Sequence, residues 1–398
     1  MTIQANIWKL YVIKASKWMM LFMPIIWLFY KENGLTVKDL FIIQAINSLL
    51  VAITEIPSGY VADVLGRKNS LIIGTFFGCL GFIIYSLSFS FEGFLSATLC
   101  LGFGQSFISG SDTALMYDSL KELNREKDFI KLEGRTISMG NFAEGTAGMI
   151  GAYFLTNNSY RIPFYYQVGI AFIGFLIALL LVEPKTTKLS DGINKPWKNI
   201  KNIIRFSLIE NKLLRYYILY SAIIGTTTLS IAWFAQPFLD FVKIEGKFNG
   251  IIFGLLNYTV AATAFYAHQI EKRFKTNSIL ISILLTLIAC YYGISQFTHY
   301  YWAIPLTIFY FTRGIATPIL RDYMNRETPS EMRATVMSIR SFIIRLLFAS
   351  LSPFLGYYTD TYSIQEALLF SCILFFILGS IVLILLLSNK KTEATLNS

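Results

Sequence analysis

Four charged residues stand where charge is costly. Glu55, Asp112, Glu144 and Arg313 each lie inside long apolar stretches of a 398-residue chain. An acid or base at the centre of a bilayer costs roughly 2.5–3.5 kcal/mol on insertion scales, so such residues mark pathways, relays or paired charges. A carboxyl enclosed in apolar surroundings can take up and release a proton. Asp112, in Ser109-Gly-Ser-Asp112-Thr, and Glu144, in Gly140-Asn-Phe-Ala-Glu144-Gly-Thr-Ala-Gly148, are therefore candidates for proton or substrate coupling. The competing reading of each is a structural acid fixed by a nearby base or hydroxyl. Glu55 stands one turn before Gly59, where it either lines the inner end of a cavity or pairs with an inner-face base. Arg313 lies between Pro305 and Pro318. The prolines bend a helix and free its carbonyls. A fixed cation there either binds an anionic substrate or balances Asp112, Glu55 or Glu144. Arg340 and Arg345 are read as snorkelling or paired.

The elements that carry these residues follow from composition. Hydrophobic residues make up 55% of the chain and charged residues 15%, with mean hydropathy +0.55. Soluble domains carry about 25% charged residues, so the lipid bilayer is the expected surrounding. The stretches are continuous rather than alternating, which favours helices over a β-barrel. Twelve spans are predicted, starting near Trp8, Val37, Ser70, Phe94, Arg135 and Pro163, then Leu213, Asn249, Ser278, Tyr301, Arg333 and Gln365. The first is read as continuous to Tyr30 and the fourth to Leu120. The expected fold is an all-α membrane protein of two pseudo-symmetric six-helix halves, residues 1–183 and 213–389. A polar central loop, 184–212, joins them and a tail, 390–398, follows. With both termini in the cytoplasm, Lys31, Lys38, Arg161, Lys243 and Lys247 are the basic residues of the outer loops, and the other loop cations lie inside. The excess of 34 Lys and Arg over 24 Asp and Glu is then the positive-inside bias, not a nucleic-acid surface.

The halves share weak internal similarity. Gly59-Tyr-Val-Ala-Asp63-Val-Leu-Gly66-Arg67-Lys68 follows the second span, and Ala267-His-Gln-Ile-Glu271-Lys-Arg-Phe-Lys275 follows the eighth. Each sets an acid four residues before a base. Two related six-helix halves are a common transporter plan. The physics of the first loop is separable: Gly59 and Gly66 permit tight turns, Asp63 suits a positive helix end, and the Arg67 fork suits a carboxylate. Asp118, at the inner end of the fourth span, is its candidate partner.

Gly59–Lys68 resembles the signature loop of the major facilitator superfamily, G-x-x-x-D-x-x-G-R-K, at every fixed position and at the same place between spans two and three. The resemblance implies a loop that clamps the halves in one state and releases them in another. Gly140–Gly151 is loosely similar to the glycine-rich fifth-span motif of the family's antiporters, but lacks its proline. The family's drug–proton antiporters often carry an Arg before the G-x-G of span four; here Gly102-Phe-Gly104 is preceded at that place by Thr98. Further pathway candidates are Asn141, Tyr220, Thr226, Trp233, Gln236, Asn257 and Tyr258.

Hydrolytic and nucleotide-binding motifs are absent, and His268 and His299 stand alone. Cys79, Cys100, Cys290 and Cys372 have no metal spacing. Neither an enzyme nor a bound cofactor or metal is expected. The expectation is a monomeric secondary transporter of a bacterial inner membrane that exports a small organic solute in exchange for protons. Uptake of a metabolite is the rival, and a non-transporting sensor or partner protein is the reading from another class.

Overall fold

The computed structural model describes residues 2–153, 159–184, 196–296, 300–329 and 332–396. His299 and the side chains of Asp63 and Asn141 fall outside what is described. The first unit holds α1 (Asn6–Trp18), α2 (Ile26–Glu32), α3 (Val37–Leu65), α4 (Arg67–Leu87), α5 (Phe91–Ile108), α6 (Ser111–Glu122), α7 (Phe129–Tyr153) and α8 (Ile162–Leu179). Then come α9 (Pro196–Arg205), α10 (Lys212–Phe241), α11 (Gly246–Arg273), α12 (Thr276–Gln296), α13 (Ala303–Arg326), α14 (Arg333–Thr361) and α15 (Ile364–Leu396). Polar caps start several of them. Thr36 and Asp39 form a reciprocal capping box on α3, and Asn211 Oδ1 accepts from Leu214 N on α10 at 2.8 Å. Each cap satisfies backbone donors that lipid would leave bare.

Among the described residues, ten segments are long and apolar enough to cross a membrane, α1 and α2 counting as one. The fourth predicted span is α5 with α6 and the fifth is α7, which completes the order of twelve. Two predicted spans are not continuous. The first breaks between Trp18 and Ile26, where Pro24 supplies no N–H and its ring crowds the preceding turn. The fourth breaks at Ser109-Gly110, with Gly110 at φ +80°, a conformation that costs a side-chain-bearing residue about 1–2 kcal/mol. The predicted polar loop also contains a helix, α9. The second span leaves no loop behind it: α3 runs through Gly59 to Leu65, so Gly59 makes no turn, and beyond its own helix no atom lies within 4 Å of where its Cβ would be.

The chain divides into two compact units, residues 1–193 with 244–255, and 194–243 with 256–398. Within the first, α4 packs on α5 and α8, and α1 on α7 and α8. Within the second, α12 packs on α13 and α15, and α10 on α14 and α15. Counted by span, these are the same pairs six spans later, which is the pseudo-symmetry the loop similarity pointed to. The symmetry fails at the breaks: α10 and α13, the counterparts of the broken spans, run through without interruption. α4 and α5 approach closely: a Cβ on Gly74 would meet the Gly104 carbonyl at 2.8 Å and one on Gly104 would meet the Gly74 carbonyl at 2.6 Å. Leu10, Ile13, Leu71, Leu115 and Met116 form an enclosed apolar core beside the fourth-span break.

Arg161, at the start of α8, clamps the other end of this unit. Its guanidinium donates to the Ser86 and Ser88 carbonyls, each at 2.8 Å, and to Asn33 Oδ1 at 2.8 Å. It also lies 3.9 Å over the Phe89 ring. Burial pushes its pKa below the ordinary arginine value. Arg161→Ala is expected to cost about 2 kcal/mol or more, since hydrogen bonds to charged groups contribute about 1.5–3 kcal/mol each. Arg161→Lys should not recover it, because an ammonium does not reproduce the fork. Thermal unfolding of the purified protein in detergent measures both.

Candidate functional site

The signature segment builds a charged knot at the start of α4. Only Gly66 separates α3 from α4, at φ +94°. The two backbone N–H groups that follow it donate to one carboxylate: Arg67 N to Glu183 Oε1 at 2.9 Å and Lys68 N to Glu183 Oε2 at 2.7 Å. An anion at a helix N-terminus is stabilised by the macrodipole, typically by 0.3–1 kcal/mol and by up to about 2 when partly buried. A Cβ on Gly66 would lie 2.9 Å from the Glu183 carboxyl carbon, so glycine both adopts the turn and leaves room for the cap. Arg67 Nε lies 2.9 Å from Asp118 Oδ2, which places the expected partner on α6. Neither atom completes an aligned hydrogen bond there, so charge rather than directionality holds this contact. Asn6 adds a neutral tie: its Nδ2 donates to Ser119 Oγ at 3.0 Å and to the Val182 carbonyl at 2.8 Å. α6 and the end of α8 thus converge on α4.

A second cluster forms at the helix breaks. Asp112 sits in the first turn of α6, 8% exposed. Its Oδ2 accepts from Lys14 Nζ on α1 at 2.7 Å, and its Oδ1 from Thr113 N at 2.8 Å. Thr113 Oγ1 donates to Glu133 Oε1 of α7 at 3.0 Å. Lys14, Asp112, Thr113 and Glu133 therefore form one chain of polar contacts across three helices. Lys14 lies one turn before α1 ends at Trp18. Beyond that end, Leu21 N donates to Gln167 Oε1 of α8 at 3.1 Å, because the break has taken away its helical acceptor. The glycine-bearing face of α7 packs on this break. A Cβ on Gly140 would meet Trp18 at 2.9 Å, and one on Gly151 would meet the Leu21 carbonyl at 2.1 Å. Glu144 sits half-buried on that face.

The other predicted residues scatter. Glu55 is half-buried on α3, one residue beyond Thr54, whose hydroxyl lies 2.6 Å from Ser106 Oγ of α5. Thr98 is enclosed and hydrogen-bonds Tyr85 Oη at 2.6 Å, and Tyr85 in turn bonds Tyr30 Oη. That position is packed inside an aromatic core. Tyr220 is not a lining residue but a fully buried strut: its hydroxyl donates to the Leu280 carbonyl at 2.6 Å and joins α10 to α12. Thr226 is likewise buried and bonds the Ala222 carbonyl at 2.9 Å. Gln236 is buried, Trp233 and Asn257 are half-buried, and Tyr258 is exposed. Arg313 is half-buried over the Tyr310 ring at 5.7 Å. The second copy of the loop pairs differently from the first: Glu271 Oε1 accepts from Arg326 of α13 at 3.0 Å, and Arg326 also reaches Asp322 at 2.6 Å.

Sequence reasoning places Lys14 inside the first span without naming its partner, and it misses Glu133 and Glu183. Glu183-Pro184 directly after an apolar span was a usable signal, since a carboxylate there has a helix start within reach. Nothing local announces that Lys14 and Asp112, 98 residues apart, will meet.

The Major Facilitator Superfamily profile matches residues 10–349. The quinolone resistance protein NorA of Staphylococcus aureus (strain N315) is 22% identical over 312 residues, which cover 77% of each chain. The uncharacterized MFS-type transporter YxaM of Bacillus subtilis (strain 168) is 26% identical over 334 residues, 81% of this chain and 80% of that one. The crystal structure of the nucleoside transporter NupG superimposes with a TM-score of 0.80 at 14% identity, covering 97% of this chain and 99% of that one.

Proposed function

Because the chain belongs to the Major Facilitator Superfamily, we propose that it is a secondary transporter that exports a small organic solute by alternating access in exchange for protons. The observation that carries the coupling is the Lys14–Asp112 pair, 2.7 Å apart and set at two helix breaks. A proton on Asp112 cancels the charge that Lys14 faces. Removing one partner of an enclosed ion pair leaves the other uncompensated, at a cost of about 3–5 kcal/mol. That cost favours rearrangement of α1 against α6, and short helices that end at breaks rearrange more readily than continuous ones. Thr113 and Glu133 offer the proton a route to and from α7. Discontinuous spans are a recurrent device for binding ions and substrates within a bilayer.

The knot of Gly66, Arg67, Asp118 and Glu183 is the second part of the reading. It fastens the start of α4 to α6 and α8, so that the first half moves as a body. Export is favoured over uptake by similarity to NorA, named for quinolone resistance, since a membrane transporter confers resistance by lowering the drug concentration inside the cell. The test is ligand-dependent thermal stability of the purified protein over a broad panel of amphipathic organic solutes, quinolones included, at mildly acidic and mildly alkaline pH. A ligand at a hundredfold excess over its Kd stabilises by about 2.7 kcal/mol. The expected result is stabilisation that depends on pH in the native protein and not in Asp112→Asn. Stabilisation indifferent to pH in both proteins contradicts proton coupling.

A further inference from the structure

A cation deep in the second unit has donors that no described residue accepts. Arg340 lies on α14, seven residues or about 10 Å into the helix, and is 9% exposed. Its Nε donates to Ser221 Oγ of α10 at 2.6 Å. Ser221 is itself fully buried, so the hydroxyl holds the guanidinium in one orientation. The two Nη groups have no acceptor among the described residues, and they are not fully enclosed. The charge that acts on Arg340 from α13 is another cation, Arg321. The acids described on the helices around it, Asp240 on α10, Asp322 on α13, Asp360 on α14 and Glu366 on α15, stand near helix ends, and none is within ion-pair distance of Arg340.

An enclosed guanidinium with open donors and no counter-charge is costly unless something answers it. Its planar fork matches a carboxylate with two parallel hydrogen bonds. We infer that Arg340, oriented by Ser221, receives the carboxylate of the transported solute, so that the substrates are organic acids or zwitterions. This inference rests on the transporter reading and adds the chemical class of the solute. Arg340 had only a snorkelling or pairing assignment from sequence; burial and the Ser221 bond replace it.

The probes are benzoate and its neutral counterpart benzamide, titrated against the purified full-length protein with thermal stability as the readout. Benzoate is expected to stabilise the native protein at millimolar concentrations and benzamide not. Arg340→Gln should erase the difference, and Arg340→Lys, which keeps the charge but not the fork, should weaken benzoate about tenfold. Should neither variant fold, Ser221→Ala serves instead, and is expected to weaken benzoate severalfold by freeing the fork. The inference is overturned if benzoate and benzamide act alike up to tens of millimolar. It is equally overturned if Arg340→Gln lowers the melting temperature but keeps the discrimination, which is what a purely structural arginine does. Stabilisation by phosphatidylglycerol and by no soluble acid assigns the fork to a lipid headgroup and overturns the solute assignment. Flux in proteoliposomes separates the two readings. Movement of neutral solutes without acid binding leaves the transporter standing and removes the anion site, whereas acid binding without any flux does the reverse.

Discussion

Asp112→Asn is expected to abolish the response of transport to a proton gradient and to destabilise the protein by about 3 kcal/mol, the lower end for breaking an enclosed ion pair. The substitution keeps the shape and the Thr113 N contact but leaves Lys14, 2.7 Å away, without its counter-charge. A double-mutant cycle separates structure from coupling. Lys14→Gln alone should destabilise by a similar amount. The combined Lys14→Gln/Asp112→Asn variant should be more stable than the sum of the two losses, by about 1–3 kcal/mol for residues in direct contact. Stability therefore returns in part in the double variant, whereas gradient-driven transport does not, because no carboxyl remains at that place. Thermal unfolding reads the first quantity and flux with and without an imposed gradient reads the second. Full transport in the double variant would show the pair to be structural.

The second large effect belongs to Gly66. Any side chain there meets two obstacles. The backbone at φ +94°, ψ +151° is a region almost confined to glycine and costs an L-residue about 1–3 kcal/mol. The new Cβ would also come within 2.9 Å of the Glu183 carboxyl carbon and push it off Arg67 N and Lys68 N. Gly66→Ala is therefore expected to reduce transport at least tenfold while the protein still inserts and folds. Glu183→Gln, which keeps the size but loses the charge and one of two acceptors, should give an intermediate loss. Gly59→Ala is the control. Gly59 belongs to the same signature, but it lies inside α3 with open space around it, so alanine there should be nearly silent or slightly stabilising. Equal damage from both glycine substitutions would contradict the placement of the turn at Gly66.

The order of spans was legible because lipid leaves the backbone few choices, and long apolar runs in a 398-residue chain can only be helices or parts of a barrel. Arg67 and Asp118 were legible as a pair because both fall at span ends on the same side of the order of spans, where a fork donor and an acid have few other partners. The breaks were not legible. Proline and glycine are ordinary in membrane helices, where neighbours re-satisfy the freed backbone, so Pro24 and Gly110 do not announce a gap. What decides the matter is tertiary: Gln167 stands ready to accept from Leu21 N. Helix faces were equally hidden. Tyr220 and Arg340 are enclosed because α10 is packed by α13, α14 and α15 at once, and a polar residue in an apolar run reads the same whether it faces a pathway or a neighbour. The helix α9 hid in a stretch whose polarity suggested a loop.

The central claim is that proton movement through Asp112 drives solute export. It is tested most directly by recording the lumen pH of proteoliposomes that hold the full-length protein and an acidic interior, while quinolones and other amphipathic organic solutes are added outside. The account predicts that a transported solute alkalinises the lumen as it accumulates, that the signal disappears when an ionophore collapses the gradient, and that Asp112→Asn gives no signal although it still binds the solute. Solute accumulation at the same rate with and without the gradient, or an undiminished pH signal from Asp112→Asn, would contradict it.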